Sequence, residues 1–228
     1  MDTELVKSLY VSDEGETSTA ASPRREKTRA RLIDAAFEVF AEQGIRASSV
    51  ETICDAAGFT RGAFYSNFSS KEELLFALLE REKNARIEQL VVGIRQFLEP
   101  WASQTRESMT DQEMLDTITR IQELQSDDGR WWLIQSEVLL MGLRDPMIAA
   151  TFMEDRQKFV AELTDLIVHA LSMANREFTI DPSLAVRLVV DFCASDQSDA
   201  VLRGDQRSFS ERLSKPLSDL VLALTRPI

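Results

Sequence analysis

Apolar residues recur at spacings of three and four along most of the chain, and no alternating strand pattern is convincing. This spacing predicts an all-α protein. Leu32, Ala35, Ala36, Val39 and Phe40 share one face of a helix over Thr28 to Gly44, with Gly44 in the usual position just past a helix end. Val50, Ile53, Cys54 and Ala57 fall at i, i+3, i+4 and i+7 of a second, short helix. Ser49 stands before it as an N-cap candidate, and Gly58 follows it where a left-handed residue is wanted. Phe59 gives the turn an apolar plug, and Thr60 can cap a further helix from Arg61. Two short helices about a tight turn form a helix-turn-helix, whose second helix meets base edges through its N-terminal residues. Ser70 then caps a restart, with Glu73 at the reciprocal position of a capping box.

The pattern continues as longer helices. Leu74, Leu75, Leu78 and Leu79 open one that runs to about Leu98 and stops before Pro100, leaving Trp101 to Asp111 as a loop. Gln112 to Gln125 follows, then a break at Asp127-Asp128-Gly129. Arg130 to Leu143 is apolar nearly all round and is predicted to be central. Asp145-Pro146 and Asp181-Pro182 are both N-caps followed by proline at N1, each opening a helix. Ser208 or Ser210 starts the last helix.

The formal net charge of −12 argues at first against a nucleic-acid partner, but its distribution matters more than its sum. Residues 1–21 are net −4, residues 22–73 carry eight bases and eight acids, and residues 74–228 carry 17 bases and 25 acids. Within the neutral stretch, Arg24, Arg25, Lys27, Arg29 and Arg31 cluster against a single Glu26. Such a patch suits phosphate contact, and the acidic remainder would confine DNA to one face. Cys54 and Cys193 read as free, buried thiols in a reducing interior. There is no run of eighteen apolar residues, and the acidic, Ser/Thr-rich N-terminus is unlike a signal peptide. No membrane contact and a cytoplasmic location are expected, at the nucleoid when bound to DNA. One histidine, no nucleophile–base pair, no metal-spaced ligands and no phosphate-cradling glycine loop argue against an enzyme, a cofactor or a metal.

Over about fifty residues the chain resembles the TetR (tetracycline-repressor) family of transcription factors. The matching residues are Thr28, Ile33, Ala35, Ala36, Phe40, Gly44, Val50, Ile53, Ala56, Ala57, Gly58, Gly62, Phe64, Tyr65, Phe68, Lys71, Glu72 and Leu74. The acidic, Ser/Thr-rich composition of residues 1–23 reads as a flexible arm, and the resemblance implies a three-helix helix-turn-helix DNA-binding domain over residues 24–73 and a helical ligand-binding and dimerisation domain over residues 74–228. It implies a homodimer on a palindromic stretch of double-stranded DNA, most simply a repressor released by a small-molecule effector. Activation is the alternative direction, and an all-α carrier or enzyme keeping the head as scaffold is the alternative class.

Several side chains are candidates for DNA. Arg61 can donate two bonds to guanine, while Gly62 and Ala63 beside Thr60 let the helix approach the groove floor. The resemblance gives Tyr65 and Asn67 phosphate contacts, although many relatives carry histidine at the latter position. Lys71 stands at a helix N-terminus that favours an anion, with pairing to Glu72 or Glu73 as the alternative. Ser49 or Thr52 can bond another phosphate, and Thr28, Arg24 and Arg25 a flanking one. The family's central helices enclose an effector pocket. Trp101, Met114, Trp131, Trp132, Met141, Phe152 and Phe159 have suitable composition for it, and Glu137 could hold a cationic group. Such aromatic stripes are equally the makings of plain core. The last two helices resemble the family's dimer-forming pair, with Leu213, Leu217, Leu220 and Leu224 as interface candidates or as intrachain core.

Overall fold

A computed structural model describes residues 23–104, 107–124 and 129–228. The N-terminal arm, apart from Pro23, and the Asp127-Asp128 break lie outside these residues. The head consists of α1 (Pro23–Gln43), α2 (Val50–Ala57), α3 (Arg61–Tyr65) and the start of α4 (Lys71–Gly93). Its core is formed by the side chains that the three-four spacing placed inward. Leu32, Ala36, Phe40, Ile53, Phe64, Phe68, Leu74 and Leu78 are each at most 1% exposed.

Beyond the head, α4 passes through a π-helical segment (Ile94–Leu98) into α5 (Glu99–Gln104). The chain does not stop before Pro100. Glu99 N donates to Ile94 O, an i→i+5 bond, so the helix is rewound by one residue and Pro100 falls in the first turn of the new segment. A missing N–H is tolerated there. The helix thereby takes up residues expected to be loop.

Thr110 caps α6 (Asp111–Glu123) in a full capping box with Glu113. Then come α7 (Arg130–Gly142), α8 (Pro146–Met173), α9 (Pro182–Arg203) and α10 (Phe209–Leu224). Asp145 and Asp181 cap α8 and α9 with proline in the first turn, as their spacing predicts. Ser208, rather than Ser210, caps α10.

A short antiparallel pair, β1 (Arg176–Phe178) and β2 (Thr225–Pro227), was not foreseen; three residues are too few to show an alternation. Buried Arg176 secures it, donating to Met109 O, Asp111 Oδ1 and Thr225 Oγ1. Among the described residues no helix is long and apolar enough to cross a membrane.

The head and body share packing. Trp131, Ile134 and Val138 of α7 belong to the head's own core cluster. A second core, with Ile94, Leu98, Met109, Met114, Leu171 and Ala174, lies at the far end. Helix α8 spans the two, with Phe152 packed against the head core and Leu171 inside the distal one.

Candidate nucleic-acid interface

The turn between α2 and α3 is set by local chemistry. Ser49 Oγ accepts from Thr52 N at 3.0 Å, closing the first turn of α2. At the other end Gly58 adopts φ 69°, and Phe59 N donates to Cys54 O at 2.9 Å. A left-handed residue there costs glycine least. Half-buried Phe59 packs against the head core, and Thr60 Oγ1 accepts from Ala63 N at 3.2 Å to start α3.

Helix α3 has five residues, too short to hold itself together in water. Its orientation comes from Phe64, which is wholly buried and meets Tyr65 edge-on and Phe68 at a tilt. With Phe64 pointing inward, Thr60, Arg61, Gly62 and Tyr65 are left on the outside, and Ala63 is partly covered. Gly62 has no atom closer than 3.7 Å to where a Cβ would sit, so the front of the helix is open.

Arg61 ion-pairs with Glu51 at 2.7 Å and lies 5.9 Å from the Tyr65 ring centre. Its hydrogen bond with Tyr65 and the nearby Glu51 carboxylate raise its pKa further. Both members of the pair are more than half exposed, so water screens the attraction and the guanidinium can exchange partners at little cost.

Other basic and polar candidates face the protein. Arg29 donates to Asn67 O at 3.0 Å and stacks on Phe68, and Arg31 donates to Ala57 O at 2.8 Å and stacks on Phe59. Lys71 lies differently from either expectation. Its Nζ donates to Ile45 O and Ser48 O, each at 2.7 Å, and so closes the loop between α1 and α2. Asn67 is also turned inward, its Nδ2 donating to Ala63 O at 2.8 Å. Thr28 Oγ1 donates to Arg24 O, while Arg24, Arg25 and Lys27 are exposed along the first turns of α1. Arg46, which the sequence reading did not single out, is exposed on the loop that Lys71 closes. Glu73 bonds Ser69 N and Oγ rather than completing a box with Ser70, and these bonds lower its pKa.

Glu137 is not in the cavity. It lies one helical turn after Ile134, on the side of α7 that meets the head, and its Oε2 accepts from Ile45 N at 2.6 Å. A Cβ on Gly44, which sits at φ 83°, would come within 2.8 Å of Glu137 Oε1. Glycine at position 44 therefore ends α1 and also makes room for a carboxylate from the body. Glu137→Ala is expected to lower the unfolding free energy by about 1.5 kcal/mol, the low end for a bond to a charged group. An unchanged denaturant midpoint would show that the bond contributes nothing.

A cavity of about 360 Å³ opens between α4, α6, α7, α8, α9 and α10. Of the effector-pocket candidates, Met114, Trp131, Trp132, Phe152 and Phe159 line this cavity. Trp101 and Met141 do not. Trp101 packs on the distal core and Met141 on the head core. Gln122 lines the cavity and was missed, because a polar residue on an amphipathic helix reads as solvent-facing.

The proposed interface leucines divide. Leu213 is wholly buried within the chain and Leu217 lines the cavity, so both are internal. Leu220 and Leu224 are partly exposed, and so are Leu184 and Leu188 of α9. The α9 aspartates are matched within the chain. Asp191 pairs with Arg156, Asp196 with Arg212 and Asp199 with Arg203.

A small helix-turn-helix head on a larger helical body defines a class of DNA-binding proteins. Residues 32–78 match the family model "Bacterial regulatory proteins, tetR family". The chain is 40% identical over 74 residues to the HTH-type transcriptional activator FasR of Mycolicibacterium smegmatis, a stretch covering 32% of each protein. It is 24% identical over 174 residues to the HTH-type transcriptional regulator UidR of Escherichia coli K12, covering 72% of this chain and 76% of UidR. Its fold is similar to that of the regulator FadR from Bacillus subtilis solved with stearoyl-CoA, with a TM-score of 0.63, 19% identity and coverage of 85% and 97%. The head thus matches the tetR family, and the whole chain is similar in fold to solved regulators such as FadR.

Proposed function

We propose that this chain is a homodimeric transcriptional regulator that lays α3 in the major groove of a palindromic operator and leaves it when a small molecule enters the body. The observation that carries this reading is the open tip from Thr60 to Tyr65, held outward by a buried Phe64. One head offers few contacts, and two-fold pairing doubles them and matches a palindrome. Leu184, Leu188, Leu220 and Leu224 of the last two helices supply apolar surface for that pairing. Arg24, Arg25, Lys27 and Arg46 are exposed cations of the head available to phosphate. Lys71, Arg29 and Arg31 shape the head instead. Repression is the simpler mode, because a bound dimer occludes a promoter. FasR is described as an activator, and operator position decides between the two.

Coupling runs through α7. Trp131 lines the cavity and also belongs to the head core, and two turns further along Glu137 holds Ile45. A ligand that displaces Trp131 therefore acts on the head through a single helix, which supports linkage between the two sites. FadR, which is similar in fold, was solved in complex with stearoyl-CoA, and this supports reading the cavity as a ligand site.

The test is binding to DNA from upstream of its own gene against a scrambled duplex. Arg61→Ala is expected to weaken specific binding roughly tenfold, the weight of one bidentate base contact, and to leave scrambled DNA nearly unchanged. Equal losses on both duplexes would remove Arg61 from base reading. Lack of preference by the unaltered protein at any salt would overturn the proposal.

A further inference from the structure

Resting on the reading of the body as an effector domain, we infer that its cavity takes an elongated aliphatic molecule carrying one uncharged group that both donates and accepts hydrogen bonds, as a carboxamide does. The shape comes from the helices. The lining extends from Leu79 on α4 to Leu98 in the π-helical segment that continues it, and from Phe152 to Leu171 on α8, spans of roughly 28 Å each at 1.5 Å per residue. Both helices lead away from the head, since Phe152 packs at the head core and Leu98 and Leu171 share the distal one. The cavity is therefore long for its 360 Å³, which favours a chain over a compact, branched ligand.

Charge is confined to the head-proximal end. There Arg86 pairs with Glu82 and Arg156 with Asp191, and Glu80, Lys83 and Asp155 stand at the same end of the lining. Further along, the walls are mainly Leu, Ile, Val, Ala and Phe with Met114, Gln89, Thr117 and Gln122, and with Cys193, whose thiol burial pushes up to about 12. An ion lodged there would meet the same penalty that keeps this thiol protonated.

Within those walls Gln122 is 3% exposed, and neither its Nε2 nor its Oε1 has a hydrogen-bond partner among the described residues. A buried amide left so is costly, and a ligand that satisfies both atoms recovers that cost. A carbonyl accepting from Nε2 beside an N–H donating to Oε1 does so, whereas an ester can only accept. Trp132 Nε1, buried and unpartnered on the same lining, offers one further donor.

The experiment titrates the full chain with dodecanamide, methyl dodecanoate and acetamide, read by quenching of the cavity tryptophans and by calorimetry. Dodecanamide is expected to bind about tenfold tighter than the ester, and acetamide not measurably. In Gln122→Leu, checked for folding by its thermal transition, the amide should fall to the level of the ester while the ester is unchanged. Equal binding of amide and ester to the unaltered protein, or no binding of either, overturns the inference whether or not the variant folds. Operator binding measured on the same preparation separates the two claims. If it is intact while the ligand series fails, only this inference falls. If selective DNA binding is absent, the regulator reading falls as well.

Discussion

Phe64→Ala is expected to lose about 3–5 kcal/mol of folding free energy, the range for truncating a fully buried phenylalanine. Phe64 is 0% exposed, its ring centre 5.2 Å from that of Tyr65 and 5.9 Å from that of Phe68. Removing it leaves a cavity where the one buried side chain of α3 anchors the helix. A five-residue helix has no stability to spare, so the loss should show as a melted tip before the rest of the head unfolds. Urea unfolding gives the energy, and affinity for specific and scrambled duplexes should fall together because the reading surface itself is lost. A variant with native stability would show that α3 is held by something other than this ring.

Lys71→Met is the second large effect. It keeps the aliphatic stem but removes an ammonium that holds two carbonyls at 2.7 Å. Bonds to a charged group are each worth about 1.5–3 kcal/mol, and Ile45 O and Ser48 O would be left in a partly buried loop without this donor. The expected result is a loss of about 2–3 kcal/mol in unfolding free energy. The salt dependence of DNA binding should stay nearly unchanged once folded protein is compared. Were Lys71 a phosphate contact, stability would hold and the salt slope would fall by about one. The two results are mutually exclusive and come from the same preparation.

The head was legible because its determinants are local. Caps at Ser49, Thr60 and Ser70, left-handed glycines at 44 and 58 and the spacing of Ile53, Phe64 and Phe68 all act within a few residues. Partner choice was not legible. An arginine or lysine bonds a backbone carbonyl with the same donors it would give a phosphate, so residue type cannot tell Arg29, Arg31 or Lys71 from Arg24. Glu137 was misplaced because α7 is apolar nearly all round, and its pattern gives no direction for the one carboxylate. The sequence leaves Leu213 open between interface and intrachain core, because burial within a chain and burial between chains leave the same apolar stripe; the structure buries it within the chain. The continuation through Pro100 depends on a π turn, which a helix-stop rule cannot anticipate.

The central claim, that paired α3 tips sit against DNA, is tested most directly by affinity cleavage. An iron chelate is attached through Ser66→Cys, an exposed position just past Tyr65. Burial holds the Cys193 thiol at about 12 and raises that of Cys54, so both stay protonated at neutral pH and labelling goes to the introduced thiol. The prediction is two clusters of strand cuts in the upstream duplex, related by a dyad and separated by whole turns of the double helix. A single cluster, or scattered cuts from protein that is demonstrably bound, would contradict it.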